Sequence, residues 1–325
     1  MPYKLKNPYR HKFEKAKYKI TNWPEYNNAL KQRGNINIWF QPNVKEQWYY
    51  KKPKNANRGR QKTYSDFAIF TMRTLGSIYK QRLRQTEGFV KSIIKLMDID
   101  LNIPDYTTLS RRTEDLEVSN LSNMLDSSEV VNVIIDATGL KIFGIGEWQE
   151  CKYNLNKRKG WRKLNIAIDR KSQKILSSEL TTNNDADHTP VPELLNEINN
   201  KIASVSGDCA YDCKPVYESI LKVNARAIIP PKENAVISRE CLKYYPTRAD
   251  NINLIAEIGK QKWQKESGYN YRSLVETAMY RYKMIVSDKV YSKKIVNQNV
   301  ESKIGCYILN KMVDLGMPIS VKKAA

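Results

Sequence analysis

The sequence is poor in the residues that most often bind transition metals or serve as catalytic bases. It has only two histidines, His11 and His188, so a site with three histidine ligands is excluded. The cysteines supply one Cys-x3-Cys pair, Cys209 and Cys213, and no second pair, which excludes a zinc finger or ribbon. Ser-His-Asp or Cys-His catalysis would depend on one of the two histidines alone. We therefore expect any chemistry to be carried by carboxylates.

Long apolar runs are also lacking, since no stretch approaches the roughly 20 residues that cross a bilayer. We expect no membrane partner. An odd number of cysteines in a lysine-rich chain without a recognisable signal peptide favours a reducing cytosol over a disulfide scaffold. With 325 residues, of which 41% are hydrophobic, the chain is long enough for a sizeable core and about two domains.

Acidic residues are scarce, and the formal net charge is +21. Residues 1–63 hold 16 Lys or Arg against 3 Asp or Glu, residues 64–130 hold 8 against 10, and residues 131–325 hold 31 against 21. A basic N-terminal segment joined to a large basic region favours a polyanionic partner, because neutralising each phosphate releases counterions. Nucleic acid is the favoured partner, and a ribosome-associated or merely soluble basic protein is the alternative.

The chain divides by pattern into three regions. Residues 1–63 are predicted to be a basic arm and linker without regular structure. Residues 64–126 show helical periodicity, with Ser65 or Asp66 as a cap and a third helix from Thr107 that carries Arg111 and Arg112. These helices fit either a helix-turn-helix DNA reader or a plain three-helix packing unit.

Residues 127–325 are predicted to form a mixed α/β sheet flanked by helices. A buried strand, VVNVIID, is expected to end at Asp136, and LKIF after Gly139 is expected to be its antiparallel partner. LNIAID and KILSSEL are the next two strands, and a helix follows at about 187–203. A strand ending at 207–208, a helix after Asp212 and the strand ARAII follow. An irregular insertion is predicted near 232–262.

Two aspartates follow predicted strands, and one glutamate lies on a predicted helix. Asp136 and Asp208 are placed at strand ends, where α/β sheets often form active sites, although single aspartates there are also ordinary turn or cap residues. A helix is predicted over about 267–287. On it, Tyr269, Arg272, Glu276, Tyr280 and Lys283 would lie within roughly 80° of arc. This stripe is either a gripping surface or a solvated, salt-bridged face.

A basic loop precedes the strand LNIAID. It contains Trp161 and five basic residues, a combination suited to contact with a nucleic-acid backbone and to stacking on bases. A solvated loop whose tryptophan packs inward is the alternative. The basic residues are Lys157, Arg158, Lys159, Arg162 and Lys163.

The spacing Tyr269-x2-Arg272-x3-Glu276-x6-Lys283 resembles the signature of bacterial insertion-sequence transposases that carry an Asp-Asp-Glu catalytic triad. VIIDATGLKIFG, with Asp136, resembles the first-aspartate motif of that family, and GDCAYD, with Asp208, resembles the second. The segment LRQTEGFVKSI…IPDYTTLSRR resembles its helical region. The likeness spans roughly residues 64–317, and residues 1–63 carry no matching motif.

The resemblance implies a ribonuclease-H-like DDE catalytic domain that cleaves DNA at the ends of an insertion sequence and joins the 3′-hydroxyl ends to target DNA. Asp136, Asp208 and Glu276 would be the catalytic, metal-binding triad. They would hold Mg²⁺, with Mn²⁺ as a substitute and two ions per site, since all-oxygen donor sets suit such ions. Tyr269, Arg272 and Lys283 would position the DNA.

The implied partners are double-stranded DNA, namely the terminal inverted repeats and the target, and a second copy of the chain in the DNA complex. The implied location is a bacterial cytoplasm, in association with the nucleoid. Two other interpretations remain open. In one, the chain is a catalytically silent DNA-binding regulator or a decayed element product. In the other, it is a ribonuclease-H-like nuclease without strand transfer.

Overall fold

The computed structural model of this chain describes residues 18–40, 44–51, 62–144 and 160–322. Within them a mixed sheet is flanked by helices, as the sequence pattern predicts. The sheet strands are β2 (Val131–Ile142), β3 (Trp161–Asp169), β4 (Ile175–Thr182), β5 (Ile202–Ser206), β6 (Arg226–Ile228) and β7 (Lys289–Val290).

The sheet has the spatial order β4-β3-β2-β5-β6, with β7 paired to the end of β2. β2, β3 and β4 form an antiparallel meander, whereas β5 and β6 run parallel to β2. The β3–β4 connection follows the prediction, since the turn spans the residues between Asp169 and Ile175. β2 thus lies at the centre, where the antiparallel and parallel halves of the sheet meet.

β2 is longer than predicted, and Asp136 lies in its middle. The segment LKIF does not fold back as an antiparallel partner but continues the same strand to Ile142. The partner is β3, whose ladder pairs Asp136 with Ile166 and Gly139 with Lys163. A Cβ at Gly139 would lie 3.1 Å from the Trp161 ring, so the glycine permits a close approach rather than a turn.

Helices cover both faces of the sheet. On one face α7 (Val191–Asn196) and α8 (Lys214–Lys222) bury a core with odd-numbered β2 residues such as Val133 and Ile135. On the other face α12 (Ser273–Ile285) and α13 (Ile295–Leu315) pack on Ile134 and Leu140. The helix predicted over 187–203 is shorter, because β5 already begins at Ile202 and pairs with β2.

The region predicted to be helical contains α4 (Asp66–Ile78), α5 (Leu83–Leu96) and α6 (Tyr106–Arg112). Ser65 caps α4, as predicted, by accepting a hydrogen bond from Ala68 N at 3.1 Å. The chain between α5 and α6 is longer than the short turn of a helix-turn-helix. α13 packs against this helical core through Ile304 and Ile308, so it joins the helical region to the sheet.

The segment predicted to be an arm without regular structure contains short elements: β1 (Tyr18–Ile20), α1 (Trp23–Arg33), α2 (Ile36–Trp39) and α3 (Val44–Trp48). Trp39, Val44 and Trp48 are buried in the same core as α4 and α13, which is the physical reason that this segment folds. β1 pairs antiparallel with β8 (Ser320–Lys322). The boundary predicted at residue 63 therefore does not separate an unstructured arm from the helices.

The insertion predicted to be irregular, 232–262, is largely helical. It contains α9 (Arg239–Tyr244) and α10 (Pro246–Ile258) and leads into α11 (Lys260–Glu266). These helices are held by buried contacts, including a 3.2 Å hydrogen bond from Trp263 Nε1 to Asn251 Oδ1. No helix in the described part of the chain is long and apolar enough to cross a membrane.

Candidate active site

Asp136 lies on the face of β2 that turns toward α12. It shares that face with the buried residue Ile134, and its own side chain is only 17% exposed. Asp136 Oδ1 accepts a hydrogen bond from Ala137 N at 2.8 Å. A largely buried carboxylate in the central strand of a sheet requires a compensating cation, because burial disfavours its charged form.

Asp208 follows the neighbouring parallel strand at the matching position. The β2–β5 register pairs Ile134 with Ser206, and each aspartate comes two residues later in its own chain. Asp208 begins a short 3₁₀ helix and accepts a hydrogen bond from Ala210 N at 2.8 Å. The parallel pairing of β2 and β5 therefore brings the two aspartates to the same edge, as the strand-end prediction for Asp208 requires.

Glu276 lies in the first turn of α12, and its side chain is 56% exposed. Arg272 connects it to the sheet. The Arg272 Nη1 donates to Asp136 Oδ2 at 2.8 Å, and Nη2 donates to Glu276 Oε1. One guanidinium thus bridges the central strand and the helix, although Arg272 and Asp136 are 136 residues apart in sequence.

The three carboxylates lie close enough to affect one another electrostatically. Burial raises the pKa of Asp136 to about 6, while the hydrogen bond from Ala137 N and the Arg272 charge oppose that rise. The negative charges of Asp208 and Glu276 raise it further. Asp136 therefore lies within electrostatic reach of Asp208 and Glu276, the two other acids singled out from the sequence.

Tyr269 and Arg272 lie outside the helix on which they were predicted. α12 begins only at Ser273, and the two residues form a separate 3₁₀ helix, Tyr269–Arg272, that follows Gly268 at φ 75°. The stripe predicted from an unbroken helical period over 267–287 is therefore wrong in its first turn. Tyr269 still approaches the carboxylates, since burial raises its pKa and the charges of Asp208 and Asp136 add to the rise.

Lys283 does not join the carboxylate cluster. It is half-buried and lines a separate cavity between α12 and the helical region. Burial lowers the pKa of Lys283, and the nearby charge of Asp288 opposes this shift. The spaced motif is thus divided: Tyr269, Arg272 and Glu276 lie near Asp136, and Lys283 lines the cavity.

The arginines of α6 differ from each other. Arg112 turns inward, where its Nη1 donates to Tyr64 O at 2.9 Å and its Nη2 forms an ion pair with Asp66. Its side chain is 12% exposed, so it ties α6 to the start of α4 and is not presented to DNA. Arg111 is exposed and lines the same cavity as Lys283.

The predicted basic loop falls partly outside the described residues, which exclude Lys157, Arg158 and Lys159. Trp161, Arg162 and Lys163 belong to β3 instead of a loop. Arg162 Nε donates to Gln298 Oε1 at 2.8 Å, and Lys163 Nζ donates to Asp187 Oδ1 at 2.8 Å. These two side chains therefore hold α13 and the segment after β4, and Trp161 packs on Gly139.

Tyr211 was not identified from the sequence, although it lies within the segment GDCAYD. It is buried, and its pKa is raised by burial first and by the charge of Asp136 second. A Cβ at Gly207 would lie 2.9 Å from the Tyr211 ring, so the glycine lets this ring pack beneath the aspartates. The small–acid–aromatic spacing of that segment is the signal that could have found it.

The carboxylates fit a hard divalent cation by donor chemistry. All three donors are oxygens, and Mg²⁺ and Mn²⁺ prefer such donors. Among the residues that the structure describes, no three His, Cys, Asp or Glu side chains approach closely enough to hold a metal ion. Arg272 supplies the positive charge between Asp136 and Glu276 instead. Arg272 occupies one oxygen of Asp136 and one of Glu276.

Several solved transposase structures are similar to this chain at low identity. The piggyBac transposase synaptic complex with hairpin DNA is 11% identical with a TM-score of 0.38, and the match covers 91% of this chain and 77% of that one. The Drosophila P element transposase strand transfer complex is 13% identical with a TM-score of 0.29 and coverage of 62% and 43%. The Mos1 transposase paired-end complex with the left transposon end is 13% identical with a TM-score of 0.23 and coverage of 74% and 84%.

Family models provide the assignment. One model described as a transposase DDE domain matches residues 31–145, which include the helical region and β2. A second model with the same description matches residues 131–309, more than half of the chain and all three carboxylates. This chain therefore belongs to the DDE transposase family.

Proposed function

We propose that this chain is a metal-dependent transposase of the bacterial insertion-sequence group with the Tyr-x2-Arg-x3-Glu-x6-Lys signature. It cleaves double-stranded DNA at the ends of its element and joins the 3′-hydroxyl ends to target DNA. Membership of the DDE transposase family supports the enzyme class. The matching spacing from Tyr269 to Lys283 supports the narrower group.

The observation that carries the proposal is the Arg272 bridge between Asp136 on β2 and Glu276 on α12. A purely structural sheet has no need for a buried aspartate in its central strand, because ionising it there is unfavourable. A second acid, which follows β5, and a third on α12 lie within electrostatic reach of Asp136. Such convergence favours a site that binds cations and acts on phosphates.

Asp136, Asp208 and Glu276 would hold Mg²⁺, with Mn²⁺ as a substitute and two ions per site. Such ions would supply the positive charge that favours ionisation of the attacking hydroxyl and offsets the charge on the leaving oxygen. No histidine base is required, which agrees with the scarcity of histidine. The mixed sheet of order β4-β3-β2-β5-β6, with an antiparallel half and a parallel half, supports a ribonuclease-H-like interpretation.

The chain's own residues would position the DNA. Arg272, once it releases a carboxylate, has a guanidinium suited to bidentate contact with a phosphate. The Tyr269 ring packs against Trp263 in a tilted arrangement, with 5.5 Å between ring centroids, which limits its movement. Joining two element ends implies a dimer of the chain in the DNA complex. The part that α4–α6 would play in DNA binding belongs to the same proposal.

Neutralising each acid tests the assignment. Asp136→Asn, Asp208→Asn and Glu276→Gln should each reduce cleavage of DNA carrying the element ends by more than about 10²-fold in Mg²⁺ or Mn²⁺. Each change replaces a negatively charged metal ligand with a neutral amide. Asp250→Asn, which changes an exposed acid on α10, is the matched control. The substrate is the DNA that flanks the coding region, with nicks and joined products mapped.

The products separate the remaining interpretations. Cleavage with joined products supports the transposase, and cleavage without joining supports a nuclease. Binding of end DNA without any metal-dependent cutting supports a silent regulator. Cutting at the wild-type rate by any one of the three variants contradicts the assignment of the triad.

A further inference from the structure

A cavity of about 770 Å³ lies between the helical region and the sheet region, away from the carboxylates. The end of α4 and the start of α5 form one wall, and the residues from the end of α12 through β7 to α13 form the other. Arg111 of α6 also lines it. The cavity thus exists only because the two regions pack together.

The lining is strongly basic. Eight lysines and arginines line the cavity against three acids, Glu114, Asp288 and Glu301. Glu301 is engaged by the backbone N–H groups of Tyr291 and Ser292, and Glu114 pairs with Lys294 at 2.7 Å. Most of the positive charge is therefore not compensated by the acids of the cavity.

Arg73 shows this lack of compensation most clearly. Its Nε is buried and has no hydrogen-bond partner within the described part of the chain. Burial lowers the pKa of Arg73, and the negative charge of Glu301 only partly offsets this shift. A buried donor without a partner is costly, and an acceptor that entered the cavity at Arg73 would offset part of that cost.

Two exposed lysines stand on opposite walls. Lys80 follows the end of α4, and Lys293 precedes α13. Neither forms an ion pair within residues 18–40, 44–51, 62–144 and 160–322. Lys283 contributes from α12, seven residues or about 10 Å along the helix from Glu276. The end of α12 therefore brings Lys283 to the cavity, while its first turn carries Glu276.

We propose that this cavity binds phosphates of the DNA backbone, anchoring one edge of the duplex where the helical region meets the sheet region, at a distance from the carboxylates. The inference rests on the proposed action on DNA, and it adds a second point of attachment formed by Lys80, Lys293, Arg73 and Lys283. Phosphate is the shared chemistry, because a phosphodiester and a free phosphate present the same acceptor oxygens to arginine and lysine.

The test uses the full chain in EDTA, so that binding is measured without cleavage. Lys80→Gln/Lys293→Gln is compared with Lys222→Gln/Lys260→Gln, which neutralises two exposed lysines outside the cavity. A fluorescent duplex carrying the element end is titrated over a range of salt. The cavity variant should reduce the steepness of the slope of log K against log salt by about 2. The control variant should keep the wild-type slope.

A labelling arm identifies the source of the phosphate. Amine-reactive labelling of Lys80 and Lys293 in the wild-type protein is followed by mass spectrometry, with the duplex, with inorganic phosphate, or with neither. Protection by the duplex supports the inference. Protection by inorganic phosphate alone, or by neither, overturns it, as does a salt slope equal to that of the control.

The same samples separate this inference from the proposed function. Asp136→Asn should bind the duplex with the wild-type slope and protect both lysines. If the duplex protects the lysines but wild-type protein never cuts in Mg²⁺ or Mn²⁺, the cavity stands and the catalytic proposal fails. If cutting occurs without protection, the catalytic proposal stands and the cavity inference fails.

Discussion

Arg272 and Asp136 form a 2.8 Å ion pair that joins the 3₁₀ helix before α12 to the middle of the central strand. Both side chains are largely buried, at 23% and 17% exposure, so solvent screens the pair less than a surface salt bridge. The same guanidinium also reaches Glu276. Arg272 therefore links the central strand to α12 through two of the three carboxylates.

The first prediction concerns the coupling of this pair. In EDTA at pH 8, a double-mutant cycle of Asp136→Asn and Arg272→Ala, followed by urea unfolding, should show a stabilising interaction of about 1–2 kcal/mol. Because the pKa of Asp136 is raised to about 6, the coupling should disappear at pH 5, where the carboxyl is protonated. Equal coupling at both pH values would contradict an ionic interaction.

The second prediction follows from the sign of that pKa shift. A raised pKa means that the folded state binds this proton more tightly than the unfolded state, whose value is about 3.9. The contribution of Asp136 to stability is therefore present below about pH 4 and is lost as the pH rises through about 6. Asp136→Asn should remove this part of the pH dependence of metal-free unfolding, and Asp250→Asn should leave it in place.

The third prediction tests metal binding without measuring activity. Mg²⁺ or Mn²⁺ at 100 times its dissociation constant should stabilise wild-type protein by about 2.7 kcal/mol, seen as a higher midpoint of thermal unfolding. Asp136→Asn and Asp208→Asn should lose most of that increase, whereas Asp250→Asn should keep it. An increase of the same size in the triad variants would place the ions elsewhere.

The fourth prediction compares two helical glycines. A Cβ at Gly305 of α13 would lie 2.7 Å from the fully buried ring of Tyr282, so Gly305→Ala should destabilise the fold by about 1–3 kcal/mol. A Cβ at Gly88 of α5 would meet nothing within 4 Å, and Gly88→Ala should stabilise by about 1 kcal/mol. Chemical denaturation of both variants measures these opposite signs.

The fifth prediction concerns Asp212, which lies just before α8 but does not cap it. It is instead a buried acceptor, paired with Arg248 at 2.7 Å and hydrogen-bonded by Tyr217 and Lys232 N. Asp212→Asn should cost about 3 kcal/mol at pH 7 by leaving Arg248 without its counter-charge. The hydrogen bonds and charge of Arg248 keep the pKa of Asp212 low despite its burial. Its stabilisation should therefore be lost as the pH falls below about 4, which urea unfolding across pH would measure.

Local signals in the sequence predicted a good part of the fold. The cap at Ser65, the turn between β3 and β4 and the strand before Asp208 each depend on a few adjacent residues. The three acids of the candidate site were also found from sequence, because each stands in a short segment with its own pattern. The structure places these segments so that their charges interact.

Long-range packing accounts for what the sequence did not reveal. β2 continues past Gly139 because it stays paired with β3, and Gly139 leaves room for the Trp161 ring of that strand. Arg162 and Lys163 were predicted to contact nucleic acid from a loop. In the structure they lie on β3 and bind Gln298 of α13 and Asp187. Trp39 and Trp48 lie in the segment predicted to be an unstructured arm, but they are buried in a helical core formed with residues distant in sequence. None of these partners is adjacent in sequence, so periodicity could not identify them.

α13 places Ile304 and Ile308 in the helical core and Leu309 in the core beneath the sheet. Neither core can lose this helix without exposing apolar surface in the other, so the two should melt together. Scanning calorimetry should then record a single peak whose van't Hoff and calorimetric enthalpies agree. Amide hydrogens in the middle of α13 should accordingly be among the slowest to exchange with deuterium, because they open only when the whole molecule unfolds.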